Sequence, residues 1–170
     1  MLPRLLMLMG CTCCLSLGDV PRRVWAEPIP IPSAIRVKTN QPGLVHVESQ
    51  HSVADTAERL VQALENKGMT VFARIDHAAG AQSVGQSLPP TELVVFGNPK
   101  VGTPLMQCNP TVAIDLPQKA LIWQDNADKV WLSYNKPQYL AQRHQLENCD
   151  AILTKIEHAL ANFAQAATQM

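Results

Sequence analysis

Apolar and polar positions alternate with a period of two from Gly43 to Ser49, where Leu44, His46 and Glu48 oppose Val45 and Val47. This pattern predicts a first strand. The period then lengthens. Ala57, Leu60, Val61 and Leu64 form one helical stripe, Ser52 and Asp55 make a capping box with Asp in place of Glu, and Gly68 ends the segment. Thr70 to Ile75 returns to period two as a second strand, and Asp76 is placed to cap a short helix from His77 to about Val84. The loop Gln86 to Thr91 breaks that helix. The continuous run Leu93, Val94, Val95, Phe96 predicts a strand covered on both faces and central in its sheet. Asn98 then caps a helix with Pro99 in its first turn, reaching about Gln107, and Asn109 to Pro117 reads as irregular or briefly helical. Lys119 to Gln124 and Lys129 to Tyr134 form a hairpin around four loop residues, with Trp123 and Trp131 at neighbouring positions. Pro137 to His144 gives a short helix. Asp150 caps a long one with the stripe Leu153, Ile156, Leu160, Phe163 and Ala167. The expected architecture is α+β: a single domain whose roughly five-stranded sheet, mixed or mainly antiparallel, packs against two main helices.

The amino terminus follows a different pattern. Arg4 precedes an apolar run from Leu5 to Leu17, the form of a secretory signal and too short for a comfortable membrane span. Val24-Trp25-Ala26 offers a cleavage site, so residues 1–26 are expected to be a signal peptide and the mature chain exported, periplasmic or secreted, with no span left. Leu8-Met9-Gly10-Cys11 is the alternative, a lipoprotein anchored at Cys11. Residues 27–42 alternate proline with isoleucine (EPIPIP) and form a Pro-rich arm ahead of the domain at 43–167.

Composition narrows the partners. Acidic and basic residues are equal at 14 each, with no long block of either sign, which argues against a nucleic-acid partner. Cys11, Cys13 and Cys14 fall in the signal, leaving Cys108 and Cys149. Two thiols in an oxidising compartment either form a bridge, closing a loop of about 40 residues, or stay as separate buried side chains.

Several short stretches, in order, resemble the domain of unknown function 302 family of bacteria and archaea. They are Ile75-Asp76-His77, Phe96-Gly97-Asn98-Pro99, Gly102-Thr103 with Leu105-Met106, Asp115-Leu116-Pro117, and Tyr134-Asn135 with Pro137. The resemblance covers about Gly43 to Phe163. It implies a compact α+β domain, often dimeric, and no established activity. This chain departs from it in the export segment and in Gln118, where members tend to carry an apolar residue.

The chemistry-bearing residues cluster between Phe72 and Pro117. Asp76, His77, Asn98, Lys100, Met106 and Asp115 are the candidate ligand-binding set, with His77 the candidate acid or base. Gly97 to Thr103 has the glycine spacing of a phosphate loop but lacks its lysine, which leaves a capped helix start with Lys100 in the first turn. Met106 and Cys108, with His77 or His144, match no dense metal motif, and no metal site is expected. Ala81 to Gly85 approaches the hydrolase elbow, yet Ser83 falls inside a helix. The expected function is binding or sensing of a small molecule near the Asp76-His77 and Gly97-Asn98-Pro99 turns. An enzyme acting through His77 and a homodimeric protein-interaction module are the alternatives. The residues name neither a reaction nor a cofactor.

Overall fold

A computed structural model describes residues 42–169; the expected signal peptide and nearly all of the Pro-rich arm lie outside the described residues. Five strands form one antiparallel sheet: β1 (Leu44–Ser49), β2 (Thr70–Asp76), β3 (Thr91–Gly97), β4 (Gln118–Gln124) and β5 (Val130–Asn135). The order across it is β1-β5-β4-β3-β2. The first two strands are therefore the two edges. The helix between them, α1 (Val53–Glu65), packs across β2, β3, β4 and β5 beside α5 (Asp150–Thr168). The remaining helices are α2 (His77–Ser83), α3 (Pro99–Cys108) and α4 (Pro137–His144), with a 3-10 turn at Pro110–Ile114.

The core lies between this helical pair and one face of the sheet. Val94, Phe96, Ala120, Ile122, Leu132 and Tyr134 point inward from the strands. Ala57, Leu60, Leu64, Leu153, Ile156 and Leu160 meet them from α1 and α5. These are the stripes that the periodicity predicts, since apolar side chains at helical spacing are most favourably removed from water on one side.

Three local expectations need correction. β4 is the central strand, and β3 lies beside it with Val94 and Phe96 buried but Leu93 and Val95 only half-buried, so β3 is not sealed on both faces. The hairpin loop is one residue longer, because Asp125 Oδ1 accepts from both Ala127 N and Lys129 N at 2.8 and 3.0 Å and holds residues 125–129 out of the ladder. Cys149, not Asp150, occupies the cap position of α5, and no side chain caps that end. Its anchor is covalent: Cys149 is bridged to Cys108, the last residue of α3.

On the face turned away from the core, Trp123 pairs with Trp131. The Trp123 Nε1–H donates to Ser133 Oγ at 2.9 Å, and that oxygen lies 2.8 Å from His46 Nδ1. The other ring nitrogen, His46 Nε2, is buried with no partner among the described residues, and burial pushes this imidazole below the ordinary histidine value.

Candidate functional site

The end of the sheet where β3 finishes and β2 and β4 begin opens into a cavity. Asn98, in extended conformation, stops β3 and starts α3: its Oδ1 accepts from Lys100 N at 2.9 Å, and its Nδ2 donates to Gly68 O at 2.8 Å. The turn is thus clamped to the α1–β2 connection. A bulge in β2 leaves Phe72 outside the pairing between Val71 and Ala73 and turns its ring toward Gly97, where a Cβ would sit 3.3 Å from that ring. α3 supplies Val101, Gly102, Leu105 and Met106, and the segment before β4 supplies Leu116 and Pro117. The space, open on one side, is about 280 Å³ with an almost wholly apolar lining.

A second, wider chamber of about 500 Å³ adjoins it between α5 and the β3–α3 turn. Met69, Val101, Gln118 and Ile156 line both, so the two meet at these side chains. Lys67, Lys100 and Lys155 line the second chamber, together with Phe163 and Ile152. No acidic side chain lines either space.

Gln118 stands at the junction. It opposes Phe96 in the ladder and is 9 % exposed, on the inward face that continues through Ala120 and Ile122. Its side-chain amide takes part in none of the hydrogen bonds among the described residues, and unlike His46 Nε2 it is not fully buried, so what exposure the residue keeps includes the amide. An amide with two donors and an acceptor therefore faces an apolar cavity with its bonding capacity open.

The structure divides the candidate set. Asn98 and Met106 line the first chamber and Lys100 the second. Asn98 has its amide committed to capping and clamping, and Met106 contributes apolar surface. Asp76 and His77 are at the other end of β2, six residue steps or roughly 20 Å from Thr70 and the cavity. There Asp76 accepts from Ala79 N at 2.9 Å as the cap of α2, and His77 is exposed. Asp115 is close to the cavity in sequence, but its carboxylate turns away to the buried His144, whose Nε2 is 2.6 Å from Oδ2.

His144 belongs to a cluster that no sequence spacing brings together. Its Nδ1 lies 3.0 Å from Thr111 Oγ1, its carbonyl accepts from Asn109 Nδ2 at 2.7 Å, and Arg143 approaches Asp115 Oδ1 at 3.4 Å. A hydroxyl, an imidazole and a carboxylate in line have the composition of a nucleophilic relay. Here the Thr111 hydroxyl donates to Asn109 Oδ1 at 2.9 Å, so the cluster acts as a latch holding the 3-10 turn to α4. Cys108 and Cys149, bridged 41 residues apart, fasten the adjacent ends of α3 and α5.

The sequence signal for Gln118 was present: positions 118, 120 and 122 share the inward face, and a polar residue at such a position is the informative exception. The junction it occupies depends on α3 and α5 arriving at one strand end.

This antiparallel sheet with its helical pair and strand-end cavity defines an α+β domain, and the chain belongs to the family described as "Domain of unknown function DUF302", whose pattern it matches over residues 45–163. The fold is that of the crystal structure of an uncharacterised conserved DUF302 protein from Bacillus stearothermophilus, with a TM-score of 0.68 and 22% identity, covering 75% of this chain and 99% of that one. Among curated proteins, the chain is similar to "Fluoride-specific ion channel FluC 1" of Brucella suis biovar 1, with 57% identity over 104 residues, 61% of this chain and 41% of that protein. It is equally similar to "Fluoride-specific ion channel FluC 1" of Brucella abortus biovar 1, of which the match covers 38%. The chain thus spans about two fifths of the length of these relatives. No described helix is long and apolar enough to cross a membrane.

Proposed function

We propose that this domain binds a small, largely apolar molecule in the cavity at the β3–α3 turn, as a binding or sensing module. The observation that carries the reading is Gln118. The residue is largely buried, its amide has no partner among the described residues, and it opens on the cavity, so a ligand group there gains hydrogen bonds that no protein group already makes. A cavity of about 280 Å³ with apolar walls and few polar groups has the form of a small-molecule site, just under the usual size range. Asp76 and His77 then serve the α2 turn, and acid–base chemistry at His77 has no comparable support. The channel activity named for the Brucella proteins we assign to the larger part of those chains, outside the match. We place the domain in an oxidising compartment, a reading supported by the Leu5–Leu17 run and by the Cys108–Cys149 bridge.

The test is titration with N-phenyl-1-naphthylamine, an uncharged apolar dye that fluoresces when removed from water. A Cβ on Gly102 would meet only Leu116 Cδ1 at 3.8 Å, so Gly102→Leu directs a side chain into the chamber. Wild-type protein is expected to bind the dye, and the variant to lose most of that binding while keeping its melting temperature. Equal binding by a folded Gly102→Leu protein would show that the cavity is not the site.

A further inference from the structure

We propose that the ligand is an amphiphile with an anionic head group, its apolar part in the first chamber and its head between Gln118 and the lysines of the second. The inference rests on the cavity reading and adds the chemistry of the ligand.

Three observations converge on it. The first chamber has room for roughly nine heavy atoms at about 30 Å³ each, and its walls offer them almost nothing but carbon. The second chamber places Lys67, Lys100 and Lys155 around one concave surface, without an acidic side chain in its lining and without an ion pair to any of the three among the described residues. In a chain whose acidic and basic residues are equal at 14 each, this one-sided grouping is a local feature and not a general excess. Between the two spaces the open Gln118 amide supplies N–H donors, which an anionic oxygen accepts more strongly than a neutral one does. Lysines on flexible stems act as point charges and impose no bidentate geometry, so the site selects for negative charge more than for head-group shape.

Exposed lysines contribute about 0.2–1 kcal/mol each to a charge pair, a factor of about 1.4 to 5. The charged Gln118 hydrogen bond adds to this. Together they are expected to favour an anionic head by at least about tenfold over a neutral one of the same chain length.

The experiment compares decanoate, decyl sulfate and decanol as competitors of bound N-phenyl-1-naphthylamine, at 20 mM and 500 mM salt. At low salt, at least one of the two anions is expected to displace the dye at a tenth of the decanol concentration or less. Carboxylate and sulfate heads are told apart by which does so. The advantage is expected to shrink severalfold at high salt and to disappear in the Lys67→Gln/Lys100→Gln/Lys155→Gln variant, with decanol competition unchanged. If neither anion outcompetes decanol, or if the triple variant keeps the full preference, the assignment is wrong. Dye binding separates the two levels: a protein that binds the dye but does not prefer anions retains the cavity reading alone, whereas failure to bind the dye removes both.

Discussion

Gln118→Met is the substitution that most sharply separates a ligand site from a packing accident. Methionine keeps the length and nearly the volume of glutamine, so the change removes the amide without opening a void. The Gln118 side chain is largely buried, and its amide has no partner among the described residues. A buried amide left unpaired costs about 1–3 kcal/mol. Because the amide atoms are not fully buried, the lower end applies, about 1 kcal/mol. The variant is therefore expected to be more stable than wild type by about that amount, a rise in melting temperature of about 4 °C for a domain of this size. Urea unfolding followed by Trp123 and Trp131 fluorescence measures it, with the midpoint moving upward at constant slope. The same variant is expected to bind decanoate more weakly, so that stability rises while binding falls. A midpoint that moves downward by 1 kcal/mol or more would refute the reasoning, since it would mean that the amide is a satisfied member of the core.

Other expectations concern the frame around the cavity. Reducing the Cys108–Cys149 bridge, or replacing Cys149 by Ser, is expected to cost about 4 kcal/mol on the chain-entropy model for a 41-residue separation, and to weaken dye binding because both cavity helices lose their tie; chemical unfolding with and without reductant measures this, and coincident curves would argue against the bridge. Two glycines should respond oppositely to alanine. At Gly43, with φ +90°, a Cβ would fall 2.6 Å from the Tyr139 ring, and the expected loss is about 1–3 kcal/mol, whereas Gly102→Ala has space inside α3 and should gain about 0.5–1 kcal/mol in thermal unfolding. Burial holds the His46 imidazole below its ordinary value, so the unfolded chain takes up that proton more readily. This contribution to stability is complete above about pH 6.5 and is lost as pH falls through the lowered value. Urea midpoints between pH 7.5 and 5 should fall more steeply for wild type than for His46→Gln, and parallel slopes would exclude His46 as the source.

Much of the fold was legible because it depends on local periodicity. The stripe Ala57, Leu60, Leu64 and the stripe Leu153, Ile156, Leu160 are each buried as their spacing requires. The caps at Ser52, Asp76 and Asn98 also read directly, since an oxygen-bearing side chain before a helix satisfies a free N–H two or three residues on. The site was only partly legible. Met106, Lys100 and Asn98 reach the cavity, but Asp76 and His77 are carried to the far end of β2, because a strand delivers its two ends to opposite sides of a sheet. Asp115 was expected at a ligand and instead meets His144, 29 positions away.

Sequence by itself determined the class of fold, the family, the caps at Ser52, Asp76 and Asn98 and the two cysteines able to bridge, because each follows from chemistry within a few residues or from an ordered set of short motifs. Tertiary structure decided what surrounds Gln118. Its polar side chain is ordinary at the start of a strand until β3, α3 and α5 close around it, and nothing local specifies that three lysines from the α1–β2 turn, α3 and α5 will border the same space. Burial and long-range proximity are properties of the packed chain, and they turn a glutamine that the sequence marks only as a polar exception into the centre of the candidate site.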